Sequence, residues 1–97
     1  MEGCCSEKKK LRSDEEKRAL INRLSRIEGQ VRGIRNMLEN AAYCVDVLTQ
    51  TSAVRSALTS FQSELLAEHI RTCVTDDIRD GRTETVDELI ETLKKLR

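Results

Sequence analysis

His69 and Cys73 stand four positions apart, so on a helix their side chains leave the same face one turn apart and can share a metal ion. A cysteine and a histidine on the buried face of a helix also serve as plain core residues, so the pair needs a third donor before it reads as a site. Cys44 is the candidate. If one helix runs continuously between them, the 25 positions from Cys44 to His69 span about 37 Å of helical rise, and one chain cannot close the site. Two antiparallel copies of that helix would set Cys44 of one beside His69 and Cys73 of the other, and two-fold symmetry would make two equivalent sites. Two thiolates and one imidazole form a soft donor set that favours copper(I), a cation content with three ligands. Zinc would want a fourth donor from water, a carboxylate, or Cys4 or Cys5. Those two cysteines are sequence neighbours, a poor arrangement for a single well-formed site, and are read as a surface thiol pair.

The elements that must carry these residues are helical. The 97 residues include no proline, four glycines, 35% charged and 2% aromatic residues, a composition of long solvated helices rather than of sheet or disordered tail. A chain this short buries a modest fraction of its surface as a monomer, so oligomerisation is expected. Residues 1–12 lack periodicity and end in Lys8, Lys9, Lys10, Leu11 and Arg12, which predicts a flexible basic arm ahead of one domain over residues 13–97. Ser13 with Glu16 has the spacing of a capping box, and Asp14 and Glu15 add the negative charge that a helix start favours. Leu20, Leu24, Ile27, Val31, Ile34 and Leu38 then form an apolar stripe that wants a partner helix. Gly29 and Gly33 within it would allow close helix approach. A turn is expected over 40–42, followed by a second helix without glycine or proline until Gly81, its stripe running Val47, Thr51, Val54, Leu58, Phe61 and Leu65. A third helix is expected from near Thr83 to Thr85, with Thr85 and Glu88 in capping-box spacing and Val86, Leu89, Ile90, Leu93 and Leu96 buried.

No apolar run reaches the roughly 20 residues of a membrane span, and the first residues have no apolar core of the signal-peptide kind, so a cytoplasmic protein is expected. In that reducing compartment the four cysteines read as thiols, metal ligands or redox sensors rather than structural disulfides. The formal charge is zero but unevenly placed: residues 1–35 carry a net +4 and residues 36–97 a net −4. A basic face for a polyanion is therefore available, as is the plainer role of a solvated helix face. There is no glycine-rich phosphate loop and no nucleophile with a base and an orienting partner, so an enzyme is not expected.

The run Arg23-Leu24-Ser25-Arg26-Ile27-Glu28-Gly29-Gln30-Val31-Arg32-Gly33-Ile34, then Tyr43-Cys44-Val45-Asp46-Val47-Leu48, Gln50, Ser52-Ala53-Val54, Ala57-Leu58, and His69 to Cys73 resembles the copper-sensitive operon repressors and their nickel-, cobalt- and formaldehyde-sensing relatives, the CsoR and RcnR group. The resemblance implies an all-α, three-helix protomer, an antiparallel dimer and a disc-like dimer of dimers that binds operator DNA without a helix-turn-helix. It places Cys44, His69 and Cys73 on the Cys-His-Cys set of copper(I) members. It places Tyr43 and Glu88 on residues that link the liganded histidine to the third helix, where a carboxylate would orient the imidazole and fix its tautomer. Nickel and cobalt members add a histidine near the start of the first helix; Arg12 stands there in this chain and His69 is its one histidine, which disfavours those metals.

For DNA contact the candidates are Arg23, Arg26, Arg32 and Arg35 of the first helix, Arg55 of the second, and Lys8 to Arg12 of the arm, acting on phosphates and groove shape. Several of these arginines could instead pair with Glu28 or Glu39. The expected function is a copper(I)-responsive repressor, bound to operator DNA in the apo form and released by metal through reciprocal linkage. The alternatives are a thiol- or persulfide-sensing repressor using Cys44 and Cys73, and a copper-buffering protein with no DNA role.

Overall fold

The computed structural model describes residues 10–96, and every regular element among them is helical. Cys4, Cys5, Lys8 and Lys9, all named from the sequence, lie outside the described residues. The elements run α1 (Asp14–Glu39), α2 (Cys44–His69), a π-helical segment (Ile70–Val74), α3 (Thr75–Arg79) and α4 (Glu84–Lys95). His69 and Thr75, which flank the π segment, both keep right-handed helical backbone, so α2, the π turn and α3 are one continuous winding. Counted that way the described residues form the three expected helices.

The chain divides into two compact units, one of them Arg12–Glu64. Here α1 opens on the expected capping box: Ser13 Oγ accepts from the Glu16 amide at 3.2 Å, and Glu16 Oε1 accepts from the Ser13 amide at 3.2 Å. Asp14, Glu15 and Glu16 fill the first turn, where the helix dipole favours negative charge. At the other end Ala42 N–H bonds to Met37 O (2.9 Å) and Ala41 N–H to Leu38 O (3.2 Å), the paired bonds of a Schellman turn. The left-handed position falls to Ala41, φ 56°, where glycine is usual. Ile27 on α1 and Val54 on α2 are the buried apolar side chains of this unit, while Ile21, Leu24, Val31, Leu38, Val45, Leu48 and Leu58 remain exposed. The expected stripe thus exists, but the protomer covers only part of it. Nor do the glycines serve close approach within the chain: a Cβ on Gly33 would meet nothing within 4 Å, and one on Gly29 would meet only Arg32 Nη2, at 3.8 Å.

The second unit holds Leu65 onward, together with Lys10 and Leu11. Cys73 and Val74 are its buried core. The π turn is a departure from the expected α-helix, and threonine back-bonding accounts for it: Thr72 Oγ1 donates to Glu68 O (2.7 Å) and Thr75 Oγ1 to Ile70 O (2.7 Å), the second reaching five residues back as a π turn does. The winding ends in a second Schellman turn, Arg82 N–H to Asp77 O at 2.8 Å and Gly81 N–H to Ile78 O at 3.1 Å, with Gly81 at φ 80° as the Asp80-Gly81 pair predicts. Two expectations for the last helix fail. Thr83 rather than Thr85 is its N-cap, without a side-chain cap bond, because the Thr85 hydroxyl is committed to Asp77. Ile90, Leu93 and Leu96 are exposed rather than buried.

Candidate metal centre and nucleic-acid interface

His69 is the last residue of α2, and Cys73 lies within the π turn that follows it. The two donors therefore share one turn, a wider one than α-helical spacing supposes, and π turns of this kind concentrate at functional sites. Cys73 is 2% exposed, the most buried side chain among the described residues. Lys10 covers it: its Nζ donates to Thr72 Oγ1 at 2.8 Å and to Cys73 Sγ at 3.7 Å, and lies 3.8 Å from Glu68 Oε1. With 16% of its side chain exposed, Lys10 is engaged here rather than extended into solvent. Cys73 carries a disulfide, where thiols, metal ligands or redox sensors rather than structural disulfides are expected, whereas Cys44 is a free, exposed thiol.

Cys44 is the first residue of α2 and His69 the last, in 26 residues of unbroken α-helix. The helix is thus continuous, as a site shared between subunits requires, and its rise separates the two by about 37 Å. Among the described residues no three His, Cys, Asp or Glu side chains gather as a metal would require. Tyr43 immediately precedes α2, its side chain 70% exposed and its carbonyl accepting from the amides of Asp46 (3.0 Å) and Val47 (3.2 Å). Glu88 lies exposed on α4.

Sequence reasoning misses Asp77. Its carboxylate accepts from Thr85 Oγ1 and from Arg82 Nη2 at 2.9 Å, and these two hydrogen bonds hold it below the usual carboxylate range. Arg82 also reaches Asp80 Oδ2 at 3.2 Å. The capping-box spacing of Thr85 to Glu88 points to the wrong partner and masks a contact eight residues back.

The arginines chosen for DNA lie on two helices of one unit. Arg23 is half-buried and its Nη2 donates to Ser60 Oγ at 3.2 Å, tying α1 to α2. Arg26 and Arg32 are exposed. Arg35 pairs with Glu39 at 3.1 Å on the surface, one of the pairings expected for these side chains and one of small energetic weight. Arg55 lines an open polar groove of about 510 Å³ with Ser52, Ser56, Thr59 and Ser60, free of acidic side chains.

Residues 16–95 match the model of a family described as metal-sensitive transcriptional repressors. The chain belongs to that family. It is 49% identical over 85 residues to the copper-sensing transcriptional repressor CsoR of Bacillus subtilis (strain 168), an alignment covering 87% of this chain and 84% of that protein. The crystal structure of the copper-sensing repressor CsoR with Cu(I) from Geobacillus thermodenitrificans NG80-2 shares the fold with a TM-score of 0.86 and 41% identity, covering 89% of this chain and 91% of that one. The nickel-responsive transcriptional regulator InrS is also similar, with a TM-score of 0.76 and 36% identity over 90% of this chain and 99% of its own. These metal-sensitive repressors are regulators of transcription, not enzymes. Because a copper sensor and a nickel sensor both match the fold, the choice of metal falls to the donors each chain carries.

Proposed function

We propose that this chain is a copper(I)-responsive repressor whose apo form binds operator DNA and whose metal-loaded form lets it go. The carrying observation is the unbroken α2 that separates Cys44 from His69, with no three-donor group among the described residues, which supports donors that meet across subunits. Cys44 of one subunit with His69 and Cys73 of another would hold the ion. Two sulfurs and one nitrogen suit copper(I), which when bound would join the two subunits by soft, three-coordinate ligation. The 49% identical relative is named for copper sensing, in agreement with that donor set. Each thiol must shed its proton to ligate and His69 must present a neutral nitrogen; Cys73 must also be reduced, so its disulfide and the metal exclude one another.

The second copy would cover the apolar surface left exposed in the protomer: the α1 groove of about 600 Å³ that includes Ile21, Leu24, Ile27 and Val31, and Val45 and Leu48 beside Cys44. An antiparallel dimer, assembling further into a dimer of dimers, meets that need. Tyr43 and Glu88 are assigned to orienting His69. Arg23, Arg26, Arg32, Arg35 and Arg55, with Lys8, Lys9 and Arg12 of the basic arm, would contact phosphates, Lys10 being held instead against Thr72 and Cys73, and the cytoplasm is where such a regulator meets its operator. No described helix is long and apolar enough to cross a membrane. Since the metal and DNA favour different conformations, each weakens binding of the other by the same factor.

Anaerobic copper(I) titration of the reduced protein on operator DNA tests the reading. Release at one copper per subunit supports it, and metal-dependent release that survives Cys44→Ala contradicts it. The disulfide at Cys73 shows that this cysteine can change redox state, which keeps a second reading, a thiol- or persulfide-sensing repressor using Cys44 and Cys73. The free state of Cys44 means that Cys44 and Cys73 are not the joined pair, and release of DNA by oxidant or persulfide without copper would select this alternative. A copper buffer without a DNA role would leave operator mobility unchanged at every copper level.

A further inference from the structure

Asp77 lies one turn beyond Cys73 in the same continuous winding, and it grips the chain beyond the Gly81 turn in three ways. Its carbonyl accepts from the Arg82 amide at 2.8 Å, and its carboxylate accepts from Arg82 Nη2 at 2.9 Å and from Thr85 Oγ1 in the first turn of α4. Thr83, which begins α4, makes no side-chain cap bond, although such a cap is a common stabiliser of a helix start. The Asp77 charge stands in for it from the preceding element, at the end of α4 where the dipole favours an anion. The start of α4 is therefore fixed to the ligand-bearing segment by a group that is not itself a donor to the ion.

We propose that Asp77 is a positioning residue that transmits the state of the His69–Cys73 turn to α4, with Thr85 and Arg82 as its grips. This rests on the reading of copper-dependent release given above. A change in the turn's winding on metal capture moves Asp77 with it, and the start of α4 follows through Thr85 and Arg82, the latter held at Asp80 as well.

The test is the ratio of operator affinities without and with copper(I), measured on the full-length reduced protein for wild type, Asp77→Ala and Thr85→Val, with copper(I) affinity in the absence of DNA measured separately by competition. Asp77→Ala is expected to shrink the ratio by about tenfold while copper(I) affinity without DNA stays within about twofold of wild type. Thr85→Val, which keeps side-chain volume and loses only one grip, is expected to shrink it less. A merely structural role would lower thermal stability but leave the ratio intact, and an unchanged ratio in either folded variant overturns the inference. A wild-type protein that holds the operator equally with and without copper overturns the underlying reading instead, and this inference with it.

Discussion

The two ends of the long central winding differ in almost every respect that bears on the site. At the start, Cys44 is exposed and free, preceded by a turn in which Ala41 takes a left-handed conformation and flanked by the exposed apolar residues Val45 and Leu48. At the far end, Cys73 is buried, covered by Lys10 and carried on a π turn braced by two threonine hydroxyls, and the following turn uses Gly81 and the Asp77 grip. One end is built by the protomer; the other is left open. Two of the three proposed donors lie at the built end and the third at the open one.

Substitution at the two ends should separate binding from folding. Cys44→Ala and Cys73→Ala are both expected to weaken copper(I) binding by more than the roughly 10–100-fold lost on removing a supporting group around a metal. Only Cys73→Ala should also cost stability, about 1–3 kcal/mol, whereas Cys44→Ala should stay within about 0.5 kcal/mol of wild type, as exposed positions do. Chelator competition and urea unfolding would read the two effects. Equal destabilisation would break the contrast between a built end and an open one.

The unit that carries the open end also carries the arginines proposed for DNA contact. Replacing Arg23 and Arg26 together by alanine should lower operator affinity and flatten its salt dependence by about one unit of log–log slope for each phosphate no longer neutralised, leaving copper(I) affinity alone. The turns give a smaller contrast. Ala41→Gly should stabilise the protein by about 1 kcal/mol by relieving the left-handed alanine, and Gly81→Ala should destabilise it by a similar amount; calorimetry would show shifts of opposite sign. The smallest effect concerns acid. The Asp77 carboxyl is held below its ordinary value by Thr85 and Arg82, so its contribution to stability is complete above the unfolded carboxylate range near about 3.9 and fades as pH falls through the lower folded value. Asp77→Asn should remove that part of the acid limb, visible as a shallower loss of stability below about pH 4 relative to wild type.

Much of the fold is legible in local chemistry. Ser13 and Glu16 cap α1 as their spacing requires, and Gly81 closes its turn, because such signals depend on residues a few positions apart. The continuity of α2 follows from the absence of breakers. The π turn escapes a sequence reading because its signal is two threonine hydroxyls bonding backward, chemistry that also occurs in ordinary helix at Thr49, Thr51 and Thr59. Asp77 escapes because its partners lie beyond a turn, and Thr85 offers a nearer, more familiar role. The apolar stripe is correctly placed by its spacing, but its burial is overestimated, since Leu24, Val31 and Leu38 remain exposed in the protomer. Periodicity shows that a face wants a partner, not whether the partner lies in the same chain.

Whether the donors meet across subunits can be decided by mixing complementary defective subunits. Cys44→Ala and Cys73→Ala proteins, each unable to bind copper(I) tightly, are unfolded, refolded together under reducing conditions, and titrated with copper(I) under a competing chelator. In the mixed dimer one site loses both cysteines and the other keeps both, so tight binding should return at one copper per heterodimer. A mixture that binds no better than its parents would contradict a shared site.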